Sequence, residues 1–460
     1  MNTGCGWTMK DGRPRSTMQE PEGWPGNLWL EGATLVHLPA EQPRPEARPR
    51  GPAKRIGPGF LNPAMAPART RSVMLLADAL EHDWLVPEGA PIRVLDALCS
   101  TGVRLRRWRQ ELPEAHIERV VLTGNDLDAH ALDWAVASFE AHPSGRPNAP
   151  RPEHRQRAVK PREVEGVHFT QEDARVALLR GGWQWVDLDP FGSPMPFLDA
   201  ALQGMARRGV LEVTATDTAA LTGSSAASGR RRYGFHGMVD HYAHDDAVRV
   251  LLANVALAAA RQDREITPLM ALFDGHHVRV SVMVRTSKNG ASDVHEHIGW
   301  RIRERDVPYR FVRHPTPEQT ERGSGPMWTG PLWHASIAGR MTEERALGLM
   351  RPKEGMLEAW RAQGLTWSDD DEEHAARETK RGVRHIAEAA ELMAMDGHVT
   401  TLLNLDDLPR WTGTGRTPRL QHLIEALHAA DHAAARAPDL NPFIVTDAPF
   451  DALVRIAQAM

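Results

Sequence analysis

Apolar residues fall in short blocks over the first two-thirds of the chain, separated by stretches with a helical period. Five blocks read as strands: Ile92 to Leu98, Val120 to Asp126, Val167 to Asp173, Trp183 to Leu188 and Gly209 to Thr216. Helical segments fill most of the gaps, as over Pro196 to Arg208. Short apolar runs alternating with helices predict a mostly parallel, doubly wound sheet. Before them, Val73 to Leu85 carries an apolar stripe at helical spacing. After them, a long helix is expected over roughly Asp245 to Arg261. Two β-rich runs follow, Pro268 to Leu272 and His277 to Arg285, and suit an antiparallel edge hairpin. Residues 1–58 are rich in Pro, Gly and Arg and show little periodicity. A second domain is expected from about residue 290, ending in helical segments near Leu420 to Ala435 and Phe450 to Ala459. The acidic run Asp369 to Glu373 reads as a solvated loop. The expected fold class is α/β with a smaller α+β C-terminal domain.

Composition narrows the class. A chain of 460 residues is too long for one compact core, so two domains are the default. Hydrophobic residues at 41% and charged residues at 25% are ordinary for a globular protein. No apolar run approaches the ~18 residues of a membrane span, and Met1 to Gln19 lacks the pattern of a signal segment. Cys5 and Cys99 are the only cysteines, which excludes a disulfide framework and a cysteine-rich zinc site and suits a cytoplasmic setting. The net charge of -5 argues against a broadly basic nucleic-acid coat and leaves room for a local basic face.

In open parallel sheets, ligands bind at the carboxyl ends of the strands. Four of the five strand ends here carry a carboxylate. The first runs into Asp96-Ala97-Leu98-Cys99-Ser100-Thr101-Gly102-Val103-Arg104, neither a dinucleotide fingerprint nor a P-loop, so no phosphate cradle is indicated. The second ends in Asn125-Asp126, placed to accept hydrogen bonds from ribose hydroxyls. The third ends in Asp173-Ala174, placed to meet an adenine amino group. The fourth leads into Asp187-Leu188-Asp189-Pro190-Phe191-Gly192-Ser193-Pro194. An adenosine-bearing cofactor without a pyrophosphate fits this set, and S-adenosylmethionine, with its sulfonium, suits an acidic pocket. Each aspartate alone could simply cap the next helix; all four doing only that is a poorer account. In the fourth loop a carboxylate, a stiff proline and an aromatic ring leave a strand together, a combination able to hold a flat base and accept hydrogen bonds from its amino edge.

These pieces resemble the tRNA (guanine(26)-N2)-dimethyltransferases, in order along most of the chain. Glu31-Gly32 is followed by Phe60-Leu61-Asn62-Pro63-Ala64-Met65 and Arg69, then by the Asp96 and Thr101-Gly102-Val103-Arg104 loop. Asn125-Asp126, Asp173-Ala174 and the Asp187 to Pro194 loop come next. Thr214 to Leu221, Arg231-Arg232-Tyr233-Gly234, Gly325-Pro326-Met327-Trp328 with Gly330-Pro331-Leu332-Trp333, and Thr446-Asp447-Ala448-Pro449 follow. The resemblance implies a Rossmann-like methyltransferase over 73–289, an N-terminal extension over 1–72 that helps bind cofactor and tRNA, and a tRNA-binding domain over 290–460. It implies S-adenosylmethionine binding by Arg69, Arg104, Asp126, Asp173 and Ala174. It also implies a catalytic Asp189 and a Phe191 that contacts guanine. Many relatives carry cysteines between the catalytic and C-terminal parts; this chain has none there, so no metal is expected.

Pro190 would stiffen the loop, and Arg231, Arg232 and Tyr233 could steady an extruded nucleotide or form a solvated basic turn. Two arginine-rich stretches are candidates for tRNA phosphates: Arg44, Arg48, Arg50, Lys54 and Arg55, and a second with Arg146, Arg151, Arg155, Arg157, Lys160 and Arg162. His236, His241 and His244 with Asp245 have some ligand-like spacing, but ordinary placements explain most of the 22 histidines. Glu212 and Asp217 are candidate supports. Competing functions are an S-adenosylmethionine-dependent enzyme acting on another RNA or protein amine and a non-catalytic RNA-binding module. The former usually shows Asn or Asp before a double proline and an aromatic residue, whereas Pro190 is single here.

Overall fold

The computed structural model describes residues 26–38, 61–149 and 162–460. Phe60, the first arginine-rich stretch, and Arg151, Arg155, Arg157 and Lys160 of the second lie outside the described residues. The chain forms two compact units. Of the described residues, unit 1 takes 26–38, 61–149, 162–177 and 343–383, and unit 2 takes 178–342 and 384–460.

Unit 1 opens with a hairpin of β1 (Asn27–Glu31) and β2 (Thr34–Leu38), antiparallel and closed by the pair Glu31–Thr34. Periodicity misses it because β2 is buried at every position and shows no alternation. Its turn needs glycine: Gly32 has φ +57°, and a Cβ there would come within 2.2 Å of the Glu111 carboxylate. The sheet of this unit comprises β3 (Ile92–Asp96), β4 (Val120–Asn125), β5 (Arg162–Val164) and β6 (Val167–Thr170). Strands β3, β4 and β6 are parallel, and β5 is antiparallel to β6 at the edge. The register Ile92–Val120 through Asp96–Gly124 brings the ends of β3 and β4 level, so the residues after them share one edge. Helices α1 (Ala66–Glu81), α2 (Val103–Glu111) and α3 (Ala129–Ala141) belong to the same unit.

Almost all of α1 is buried, and the later helix Asp369–Val383 packs on it. Arg71 Nη1 donates to Gly382 O at 3.1 Å, and a Cβ on Gly382 would lie 2.7 Å from Thr70 Cγ2. Arg345 joins them, its guanidinium 2.8 Å from Asp78 and 2.5 Å from Glu81. The acidic run thus opens a helix and is not a loop. Ser368 sits at the cap position; its Oγ accepts from Asp371 N at 3.2 Å, and Asp371 Oδ2 accepts from Ser368 N at 3.1 Å. This reciprocal cap, with four acidic residues at the positive end of the helix, makes the run helix-forming.

Unit 2 carries β7 (Trp183–Leu188) parallel to β8 (Met205–Ala215), then β9 (Arg264–Asp274) and β10 (His277–Thr286) as an antiparallel hairpin on the other side of β8. The predicted edge hairpin is present. Strand β8 begins at Met205, so the preceding helix, Met195–Gly204, stops short of Arg208. The long helix spans Ala243–Ala260. Two small antiparallel sheets follow: β11 (Ile298–Ile302), β12 (Arg310–Val312) and β13 (Gly323–Trp328), then β14 (Thr401–Asn404), β15 (Ala434–Arg436) and β16 (Phe443–Thr446). The last sheet shares a core of Leu403, Leu423, Leu427, Ile444 and Leu453 with helices Leu420–Ala429 and Phe450–Gln458. The first of these ends before Ala435 because the chain turns at Asp431, φ +60°, into β15. Among the described residues no helix is long and apolar enough to cross a membrane.

Candidate active site

In unit 1 the strand-end residues are tied together by one side chain. Asn125 Nδ2 donates to Ala97 O at 3.1 Å and Glu172 O at 3.0 Å, while its Oδ1 accepts from Thr170 Oγ1 and Glu172 N. The loops after β3, β4 and β6 are therefore cross-linked through the residue preceding Asp126. Asp126 Oδ2 accepts from Ser100 N and Oδ1 from Asp128 N, both at 2.9 Å, and these two contacts orient its carboxylate. The loop after β3 turns through Ser100, φ +48°, and Gly102, φ +71°. A Cβ on Gly102 would lie 2.9 Å from Ala135 Cβ, so the close approach of this loop to α3 requires glycine. Arg104 lies in the first turn of α2 and is buried. Cys99 is buried, and burial together with the charges of Asp96 and Asp126 pushes its thiol far up, which suits a packing residue.

Asp173 does cap the helix that Ala174 begins, accepting from Arg175 N at 2.9 Å. It also takes a two-pronged contact from the Arg175 guanidinium at 2.9 and 2.7 Å. These hydrogen bonds hold its carboxyl down at about 2. Arg69, on α1, grips Glu31 with two nitrogens at 2.6 and 2.5 Å. Arg107 adds a contact to Glu31 at 3.1 Å and binds Glu111 at 2.8 Å. Burial would raise the Glu31 carboxyl, but Arg69 and Arg107 outweigh it and hold it below the usual range. Glu378, of the covering helix, is pushed up to about 8 by burial and by the charge of Glu31. Arg69 thus keeps only Nη1 without a hydrogen-bond partner among the described residues.

In unit 2 the loop after β7 is held from below and clamped at its side. Asp187 and Glu212, on neighbouring strands, are both fully buried and share Arg279 of β10, at 2.5 and 3.0 Å. Arg279 also donates to Thr214 Oγ1 at 2.7 Å, and Glu212 accepts from Ser281 Oγ and Trp185 Nε1. Burial disfavours the Arg279 charge, but Asp187 and Glu212 prevail and keep its guanidinium firmly protonated. Past the strand, Asp189 is half-buried, Pro190 is buried, and the Phe191 ring is 48% exposed. Gly192, φ +80°, donates to Thr216 Oγ1 at 2.7 Å, and its carbonyl accepts from Thr216 N at 2.9 Å. The loop is therefore pinned to the chain leaving β8, with a carboxylate and an exposed ring beside the clamp.

The predicted basic trio lies on the helix Ala226–Tyr233 and its members differ. Tyr233 is buried and donates its hydroxyl to Asp217 at 2.5 Å; burial and the Asp217 charge push its ionisation up. Arg231 and Arg232 are both exposed; Arg232 reaches the same carboxylate at 2.8 Å, and Arg231 Nη2 donates to Ser228 Oγ at 3.4 Å. Asp217 orders this helix. Arg279 was missed, although its signal stands in the sequence: one arginine inside the apolar strand His277 to Val284 must meet a buried carboxylate. The histidines near 240 disperse. His241 pairs with Asp407 at 3.2 Å, His244 stacks on Phe273, and Asp245 binds Arg249. Among the described residues no group of three or more His, Cys, Asp or Glu is disposed to hold a metal ion.

Known proteins with this arrangement are numerous. The sequence pattern described as "TRM: N2,N2-dimethylguanosine tRNA methyltransferase" matches residues 52–359. A tRNA (guanine(26)-N(2))-dimethyltransferase of Pyrobaculum aerophilum is 33% identical over 290 residues, 62% of this chain and 69% of that protein. One from Methanopyrus kandleri is 30% identical over 415 residues, 88% of this chain and 89% of the relative. The solved structure of Trm1 from Pyrococcus horikoshii, a complex with S-adenosyl-L-methionine, superposes with a TM-score of 0.66 at 23% identity. It covers 94% of this chain and 99% of its own, so the fold is the Rossmann-like methyltransferase fold with a C-terminal domain. The chain belongs to the N2,N2-dimethylguanosine tRNA methyltransferase family.

Proposed function

We propose that this chain transfers one or two methyl groups from S-adenosylmethionine to N2 of guanine 26 in tRNA, and that Asp189 and Phe191 receive the base. The observation that carries the assignment of roles is the clamped loop: a half-buried carboxylate and a 48% exposed ring, one residue apart, beyond a strand end. When bound, S-adenosylmethionine supplies an electrophilic methyl group on a sulfonium and leaves as a neutral thioether. The unit 1 loops suit its adenosine. Asp126 presents at the end of β4 a carboxylate oriented by two backbone N–H groups, the chemistry that ribose hydroxyls call for. Ala174 offers a small apolar surface at the end of β6.

The exocyclic amine of guanine is a weak nucleophile because its lone pair is delocalised into the ring. Asp189 accepts a hydrogen bond from N2, favours a pyramidal nitrogen and takes the proton as charge develops. Phe191 stacks on or abuts the base, Pro190 keeps the loop stiff, and the rest is alignment. The base must first leave its stack, at roughly a few kcal/mol. Arg231 and Arg232 are the candidates to steady the backbone of the extruded nucleotide. Tyr233 acts through Asp217 to hold their helix. In the same reading, residues 1–72 assist cofactor and tRNA binding, residues 290–460 hold tRNA, and the protein works in the cytoplasm without a metal. Methyl transfer to a tRNA transcript, read by nucleoside mass spectrometry, tests it. Guanosine carrying one or two methyl groups on N2 at position 26 is expected; transfer to protein, or full activity in Asp189→Ala, would overturn it.

A further inference from the structure

A cleft of about 340 Å³ opens in the C-terminal part of unit 2, away from the elements of the methyl-transfer loop in sequence. Its walls carry Arg303, Arg410, Trp411, His241, Asp407 and Asp240. The aromatic wall is fixed in place. Trp411 Nε1 donates to Arg305 O at 3.1 Å, Phe450 packs edge-on to the indole at 5.0 Å, and the Arg410 guanidinium lies 5.3 Å from the indole centre. Asp240 is engaged by Arg301 at 2.9 Å, and Asp407 lies 3.2 Å from His241, which balances it only when protonated. Arg303 and Arg410 have no carboxylate partner among the described residues, and both are exposed.

A second observation on the same edge points the same way. From Arg410 the chain runs Arg-Trp-Thr-Gly-Thr-Gly-Arg-Thr-Pro-Arg to Arg419 without one acidic residue. Gly413 and Gly415, φ +67° and +66°, have no atom within 4 Å of where a Cβ would stand, so this turn projects into open space. Arg416 and Arg419 on it are exposed and likewise lack an acidic partner among the described residues. In a chain of net charge -5, a cleft with two arginines that lack a carboxylate partner among the described residues, beside a turn with two more and no acid, gathers cationic side chains.

The geometry points to a second RNA-binding subsite here, which takes one unstacked nucleotide of the tRNA. Its base lies against the Arg410–Trp411 stack, and its phosphates meet Arg303, Arg416 and Arg419. An immobilised indole with a guanidinium over it offers a flat face to any base, and arginines free of partners release counterions on meeting phosphate. The volume falls in the range that small-ligand sites occupy. Asp407 stands ready to accept from a base N–H edge. The subsite deepens the proposed tRNA reading and rests on it. It anchors the substrate at a nucleotide other than the one methylated, so its loss should weaken binding and leave the chemical step intact.

The test uses the full chain with Arg303→Ala and Arg410→Ala combined. The expected result is a tRNA KM raised ten- to a hundredfold, an unchanged kcat at saturating tRNA, unchanged S-adenosylmethionine binding, and a salt slope of tRNA affinity shallower by about 2. Arg361→Ala, an exposed arginine in unit 1, should change none of these. In a separate arm, wild-type protein is photo-crosslinked to thiouridine-substituted tRNA and the adducts are mapped; a peptide holding Trp411 to Arg419 is expected among them. A folded double variant with wild-type tRNA affinity and salt slope, or no adduct in that segment, overturns the subsite. A wild-type chain that binds tRNA but methylates none overturns the proposed activity, whatever the variant does.

Discussion

Phe191 and Gly192 stand side by side in the loop after β7 and do opposite things. Phe191 spends almost half of its surface on solvent, so little of the fold depends on it. Phe191→Ala should leave the thermal midpoint within a degree or two and weaken productive tRNA binding. Base–aromatic stacking is worth roughly 1–3 kcal/mol, so kcat/KM should fall about 5- to 150-fold. Gly192 touches nothing through a would-be Cβ, yet its φ of +80° suits no other residue well. Gly192→Ala should cost about 1–2 kcal/mol in urea unfolding from backbone strain alone, and methyl transfer should suffer because the two Thr216 contacts depend on that backbone. The position of the Asp189 to Phe191 loop at a strand end was legible in the sequence, because the apolar run Trp183 to Leu188 marks the strand before it. The engagement of Arg69 with Glu31 was not legible, because the partner belongs to a hairpin whose strand β2, buried throughout, shows no period.

At the scale of elements, β7, β8 and β10 are held together beneath this loop by Arg279 between Asp187 and Glu212. Arg279→Met would remove the cation that two buried carboxylates share, a loss of about 3–5 kcal/mol. Pairing it with Glu212→Gln should recover part of that stability, which chemical denaturation of the single and double variants would measure. The strands themselves could be read from their apolar runs. Their ends were less certain: β8 starts four residues earlier than Gly209, where an exposed Arg207-Arg208 pair disguises an edge of the strand as helix. The helix Asp369–Val383 was hidden for another reason. Its acidic start looks like a solvated loop until Ser368 is seen as its cap. Ser368→Ala should lower stability by about 1 kcal/mol.

At the scale of the whole molecule, stability should depend on pH through a buried histidine pair in unit 1. His37 and His142 stack at 4.9 Å with their Nε2 atoms 2.9 Å apart. Burial, then the Arg106 and His37 charges, press His142 down to about 2 from an ordinary 6.5. An unfolded chain therefore binds a proton there that the folded chain refuses. The contribution is complete above about pH 6.5 and is lost steadily as the pH falls towards 2, reaching roughly 2 kcal/mol by pH 5. His142→Gln should flatten the fall in unfolding free energy between pH 7 and 5; an unaltered slope would refute this. The order of segments in unit 1 has a consequence during synthesis. The chain leaves the unit after residue 177 and supplies its last segment only at 343–383. At roughly 5–20 residues per second, the ~200 residues from residue 177 to the end of the helix Asp369–Val383 take on the order of 10–40 s. Throughout that interval the face of α1 that the helix Asp369–Val383 will cover is bare on the nascent chain. That is the window in which a ribosome-associated chaperone would find its strongest claim on this protein.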